Sequence, residues 1–354
     1  MKLHRELPVP SFFNPDKVCE VWKVPYQQRA EEAEQWALRH KLSPAGKDSC
    51  KICLTLVDVQ NTFCIPGFDL FVGGRSGAGA VDDNRRLCEF IYRNLGVITR
   101  ICPTMDTHRA MQIFHSVFLV DEQGKHPVPF TLVSEEDILQ GRWKFNTELC
   151  DSLRISPEYG QRYVLHYVQS LKKGGKYDLT IWPYHAMLGG IGHALVSSVE
   201  EAIFFHTIAR HAQPDYQIKG SNPFTEHYSV IGPEVLKGPE GETIAEKNVY
   251  FDGILQSFDA VVVAGQAKSH CVAWTIDDLL SGMGDEKRKA AEKIYLLEDC
   301  TSAVVVPGVI DYTGEADEAF KKFADAGMHI VRSTDPVTAW PGMNNTQEAR
   351  GNRR

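Results

Sequence analysis

The chain has 354 residues, 43% hydrophobic and 24% charged, with a formal net charge of −8. That is the profile of a globular protein with a substantial core, and the acidic balance argues against a nucleic-acid or anionic-membrane partner. The start "MKLHRELPVPSFF" has no apolar signal-peptide core, and no apolar run nears the roughly 20 residues of a membrane helix. Nine scattered cysteines fit a reduced, cytoplasmic protein. The lone "CKIC" at Cys50 and Cys53 has no second pair to complete a zinc site and reads as core packing.

In chain order, residues 1–48 form a polar extension with a helix over "YQQRAEEAEQWALRHKL" and a "SPAGKDS" linker. "KICLTLVDVQ" is a continuous apolar run ending in an acid, the pattern of a buried strand. "VDDNRRLCEFIYRNLG" has helical spacing at Leu87, Phe90, Ile91 and Leu95, with Gly96 as a stop. "VITRICPTMD" is a second strand. From about 116 to 176 the pattern breaks down into turn signals with one or two short strands and helices, an insertion or lid-like excursion. "KYDLTIWPYH" reads as a third strand, and "SSVEEAIFFHTIARHA" as a helix opened by a Ser-x-x-Glu cap. "YQIKGSNPF" begins with a short extended run, and "EVLKGPEGET" is a surface loop. "FDAVVVAG" is a strand followed by a helix from Cys271 onward. "KIYLLEDCTSAVV", "GEADEAFKKFADAG" and "MHIVRST" supply a strand, a helix and a last strand before a polar tail at 341–354.

Strands that alternate with helices and read as continuous apolar runs predict a three-layer α/β/α, doubly wound, mainly parallel sheet spanning 49–340. Such sheets bind ligands outside the carboxyl ends of their strands. Three polar groups fall there: Asp58 closes "CLTLVD", Lys219 follows the extended run, and Cys271 follows "AVVVAG". If they converge, the lysine lowers the thiol pKa, the carboxylate exchanges the thiol proton, and a helix N-terminus stabilises the thiolate. Taken singly, each has a plainer reading: core cysteine, turn acid, solvated surface lysine. A second group joins them. "PTMDTHRAMQIFH" puts Asp106 and His108 after the second strand with His115 seven residues on, and "IWPYH" supplies His185. Imidazoles plus one carboxylate suit a divalent ion such as Zn²⁺, Fe²⁺ or Mn²⁺; core histidines are the alternative.

"LVDVQNTFC", "MDTH", "WPYH", "IKGSNPFTEHYS" and "VAGQAKSHCVAWT" occur in the order found in the isochorismatase-like cysteine hydrolases. The chain resembles their nicotinamidase and pyrazinamidase branch over roughly residues 50–335, interrupted at 116–176. The resemblance implies an Asp58–Lys219–Cys271 triad. It also implies metal ligands Asp106, His108 and His185, with His115 as a candidate fourth. It places a non-proline cis peptide at Gln266–Ala267, an oxyanion hole at the N–H groups of Ala267 and Cys271, and Phe63 and Trp182 against a flat heterocycle. The implied reaction is deamination of nicotinamide or a related aromatic carboxamide through a thioester. A cysteine hydrolase acting on a carbamoyl or ureido substrate, or a non-catalytic binding module on this fold, are the alternatives. The chain departs from the branch at Lys268 and Ser269, where Thr-Asp is usual, and at Ala186 and Gly190, where Cys and Thr are usual. Lys268 is therefore expected at the pocket mouth or in solvent. The extension and the excursion are candidate oligomer contacts.

Overall fold

The computed structural model describes residues 6–282 and 287–343; the expected tail lies outside them from 344 on. Six strands form the main sheet: β1 (Ile52–Val57), β2 (Arg100–Asp106), β3 (Gln217–Lys219), β4 (Ala260–Gly265), β5 (Ile294–Leu297) and β6 (His329–Val331). All pairings are parallel, and the spatial order is β3-β2-β1-β4-β5-β6. The chain thus winds outward both ways from β1, and the switch point falls between β1 and β4. In open α/β sheets this is where ligands bind.

Side-chain alternation explains why both faces are covered. Ile52, Leu54 and Leu56 of β1 point into one core, while Cys53 and Val57 point into the other. The first core is closed by α2 (Gly79–Arg93) and α4 (Ser197–Arg210), and the second by α5 (Val249–Gln256), α6 (Ala273–Gly282) and α7 (Thr313–Asp325). At the switch point β1 and β4 approach so closely that a Cβ on Gly265, at φ +116°, would stand 2.1 Å from the Val57 carbonyl oxygen. Only glycine fits there.

The N-terminal extension belongs to the body of the molecule. Its helix α1 (Tyr26–His40) packs on α4, with Arg29 Nε 2.7 Å from Glu201 Oε1 and the Arg29 guanidinium over the Phe12 ring. This contact also corrects the expected Ser-x-x-Glu cap. The Ser197 hydroxyl accepts from Trp22 N–H at 2.9 Å and donates to Trp22 O at 3.0 Å, and Val196 stands at the N-cap with no side-chain cap bond.

Two further expectations are corrected. "KYDLTIWPYH" contributes no strand to the main sheet. Only Leu179–Thr180 is extended, paired antiparallel with Leu132–Val133, and the edge beside β2 is taken by β3. Trp182 and His185 therefore stand on a loop, where Pro183 supplies no N–H for a ladder. The excursion is better ordered than its pattern suggests. It contains α3 (Pro157–Lys173), capped by Ser156 with Pro at its start, which buries Tyr163, Val164, Tyr167, Val168 and Leu171. The "EVLKGPEGET" loop docks on this helix through Arg162–Glu240, and the His166 ring meets Lys237 O at 2.8 Å.

Candidate active site

Asp58, Lys219 and Cys271 come together at the carboxyl edge, around the lysine. Lys219 ends β3, and its side chain runs into the site with only 2% exposed. Its Nζ lies 2.9 Å from Asp58 Oδ2, 3.0 Å from Asp106 Oδ1 and 3.6 Å from Cys271 Sγ, and it donates to His227 O at 2.7 Å. Asp58 Oδ2 makes no aligned hydrogen bond among the described residues, so its tie to Lys219 is an ion pair. Asp58 adopts φ +46° just past β1, and its other oxygen accepts from the Thr104 hydroxyl, which in turn accepts the Asp58 N–H at 3.0 Å. Thr104 is a positioning residue with no sequence signal beyond its place one strand over.

Burial shapes the proton affinities. It raises the Asp58 carboxyl, partly offset by Lys219, and raises the Cys271 thiol well above its ordinary range, again partly offset by Lys219. Burial opposes the charge on Lys219, but Asp106 and Asp58 outweigh it and hold the lysine protonated. Lys219 is thus a fixed cation between the Asp58 carboxyl and the Cys271 thiol.

Asp106, His108 and His185 converge on one point, their ligand atoms all within 4.8 Å of one another. Asp106 Oδ2 is 2.7 Å from His108 Nε2 and 3.8 Å from His185 Nε2. Those spacings bracket the roughly 3.4 Å between ligands in a tetrahedral shell of radius about 2.1 Å. Each ring also engages a carbonyl through Nδ1, His108 at Gly220 O (3.2 Å) and His185 at Pro183 O (2.8 Å), which leaves Nε2 as the donor atom. The donor set therefore fits a divalent ion. Burial, followed by His108, holds His185 well below its ordinary pKa, in the neutral form that ligation needs. His115 stands outside this mutually close set, its ring centroid 5.9 Å from that of His108 and 6.0 Å from that of His185. Its Nδ1 also meets carbonyls, those of Arg109 and Ala110, and its buried Nε2 has no partner among the described residues.

Two residues that the sequence reading passed over build this cluster. Gln60 clamps the end of β2, accepting the Asp106 N–H at 2.7 Å and donating to Asp106 O at 2.8 Å. Gly220, at φ +87°, leaves room for the ligands: a Cβ there would stand 2.6 Å from Asp106 Oδ1 and 2.9 Å from His108 Cε1.

A narrow pocket, partly open to solvent, reaches both groups. Phe63 and Trp182 line it with Tyr228 and His270, and Cys271, Asp106 and His185 form its reactive wall. Glu226, also missed, lines it as a buried carboxyl pushed up to about 7 by burial, partly offset by His108. The Gln266–Ala267 peptide is cis, and the chain then enters a π-helical turn, Lys268–Val272, that carries Cys271 into α6. Among the described residues the Ala267 N–H has no acceptor. Lys268 turns away from the pocket to pair with Asp317 at 2.6 Å, over the Phe320 ring.

Fold and site together define a doubly wound α/β protein with a buried Asp–Lys–Cys group sharing its lysine with an Asp–His–His group. No family model matches the sequence, and no curated protein does. Its chain path is similar to those of several solved structures. A nicotinamidase/pyrazinamidase from Acinetobacter baumanii is 19% identical, with 82% of this chain and 99% of that chain covered and a TM-score of 0.47. Yeast nicotinamidase bound to the inhibitor nicotinaldehyde is 15% identical, with 79% and 99% covered and a TM-score of 0.48. The pyrazinamidase of Pyrococcus horikoshii in complex with zinc is 17% identical, with 79% and 98% covered and a TM-score of 0.40. At these identities the chemistry rests on this chain's own side chains. Among the described residues, no helix is long and apolar enough to cross a membrane.

Proposed function

We propose that the protein is a metal-dependent cysteine amidohydrolase that converts nicotinamide or a related flat aromatic carboxamide to the acid and ammonia. The observation that carries this reading is the single buried ammonium of Lys219, in contact with Asp58, Cys271 and the candidate metal ligand Asp106. Asp58 takes the Cys271 proton as sulfur bonds to the carboxamide carbon, and the carbonyl oxygen gathers the charge between the Ala267 and Cys271 N–H groups. Asp58 then protonates the departing nitrogen, leaving a thioester. Water, deprotonated by Asp58, adds to that carbon, and the C–S bond breaks to return the thiol. Lys219 keeps Asp58 from facing Asp106 as two uncompensated carboxylates throughout. Phe63, Trp182 and Tyr228 give the ring an apolar slot. An ion held by Asp106, His108 and His185, with His115 as a further ligand, would supply a Lewis acid that orients a ring nitrogen.

The test is ammonia release from nicotinamide by the purified protein, with and without a chelator, beside Cys271→Ala. Release that depends on both the metal and Cys271 supports the reading. No release from metal-loaded protein removes the substrate, and release that survives Cys271→Ala removes the mechanism.

A further inference from the structure

A second buried carboxylate, outside the triad and the ligand set, is tied to the loop that presents the oxyanion hole. Asp83 sits just past the first turn of α2 and is 3% exposed. Its Oδ2 accepts from Gln266 Nε2 at 2.9 Å and from the Ser302 hydroxyl at 2.7 Å, and its Oδ1 pairs with Arg86 at 3.0 Å. The ring closes through the backbone. Ser302 N–H donates to Gln266 Oε1 at 3.2 Å, and Lys268 N–H donates to Ser302 O at 2.8 Å. Gln266 is thereby held at both ends of its amide, and the residues on either side of Ala267 are anchored to one frame. Glycine at position 79 makes the frame possible, since a Cβ there would stand 2.6 Å from Ser302 Oγ.

We propose that Asp83 is a positioning residue for the oxyanion-binding backbone: through Gln266 and Ser302 its carboxylate fixes the peptide that presents the Ala267 N–H to the reacting carbonyl. This rests on the amidohydrolase reading above. Every hydrogen bond into Asp83 comes from a donor, so the ionised form fits and a proton on the carboxyl opposes one of them. Burial pushes its pKa up to about 6, against the pull of the Ser302 and Gln266 hydrogen bonds and of Arg86. The other titratable groups facing it are the thiols of Cys64 and Cys300, which burial holds protonated far above neutral pH. Proton uptake near pH 6 therefore loosens the Gln266 clamp and misaligns the oxyanion donor.

Two readouts on the full-length protein test this. With selective ¹⁵N-alanine labelling, the Ala267 amide resonance is expected to titrate near pH 6, and to stop titrating in both Asp83→Asn and Gln266→Met. Because Gln266→Met leaves the Asp83 charge in place, a titration that persists there is a through-space effect and overturns the proposal. In turnover, misplacing an oxyanion donor lowers kcat about 10- to 100-fold. Both variants are expected to show that drop with KM within about twofold and with the acid limb near pH 6 lost, while the surface variant Asp82→Asn stays at the wild-type rate. Wild-type kcat in Asp83→Asn or Gln266→Met overturns the proposal, as does a loss confined to KM. A wild type that turns over no carboxamide removes the amidohydrolase reading alone, and the amide titration still decides whether Asp83 governs the Ala267 peptide.

Discussion

Replacing Lys219 by methionine removes a cation that touches both halves of the site, and the geometry sets the size of the effect. A unit charge 3.6 Å from the Cys271 sulfur is worth about 4.6 kcal/mol at an effective dielectric constant of about 20. At 1.36 kcal/mol per pKa unit, that raises the thiol by about 3 units. Below both midpoints the thiolate fraction falls about 10³-fold, but a more basic thiolate is intrinsically more nucleophilic, which returns about 1.5 of those decades. The net expectation is a drop of about 30-fold in the rate of exchange with 2-hydroxyethyl disulfide at pH 7, followed by quenched mass spectrometry against a Cys271→Ala background. Lys219→Met also leaves Asp58 and Asp106 buried without their cation, a loss of about 3–5 kcal/mol of stability in denaturant titration. Lys219→Arg keeps the charge, guards against a failure to fold, and is expected to lose less than tenfold in exchange. A folded Lys219→Met variant that exchanges within threefold of wild type would refute the assignment of Lys219 as the group that tunes Cys271.

Other consequences follow from the same geometry. Gly220→Ala drives a Cβ into Asp106 and His108, and zinc affinity measured by chelator competition should fall about 10- to 100-fold, on the scale of outer-shell damage at metal sites; unchanged affinity would argue against these ligands. Trp182→Ala removes one wall of the aromatic slot and should raise KM for nicotinamide more than it lowers kcat; equal loss in both would place Trp182 elsewhere in the reaction. Glu234 is pushed up to about 7 by burial despite Lys176, so the folded state holds its proton more tightly than the unfolded chain. Its contribution is complete below about pH 4.5 and lost as pH rises through 7, with a size on the order of 3 kcal/mol. Glu234→Gln should flatten that slope in denaturant titrations, and an unchanged slope would assign the titration to other groups.

The legible part of this site is the part that depends on strand ends. Asp58, Asp106, Lys219 and Cys271 each lie at or just beyond a strand of the main sheet, and a parallel sheet brings such positions to one edge however far apart they lie in sequence. His185 was placed for a different reason from the one its pattern suggested. It reaches the cluster on a loop beyond Leu179–Thr180, because an apolar run before a polar residue looks the same in a buried loop as in a strand. The Ser197 cap failed similarly: the motif is local, but its hydroxyl was taken by Trp22, 175 residues earlier in the chain. No window of sequence contains such a competitor.

Apart from Glu226, which lines the pocket, the residues that sequence reading missed share a physical character. Thr104, Gln60, Gly220, Asp83 and Ser302 touch no substrate position; they hold the residues and backbone that do, by hydrogen bonds or by the absence of a Cβ. A residue type alone cannot reveal that role, because an aspartate near the start of a helix is favoured there for the helix dipole whether or not its carboxylate is buried. Asp82 and Asp83 show the distinction side by side. Asp82 pairs with Arg85 at partial exposure, the expected first-turn acid, whereas Asp83 faces inward to Gln266 and Ser302. What separates them is a rotation of about 100° around one helix, which directs one carboxylate toward solvent and the other to the loop that presents Ala267.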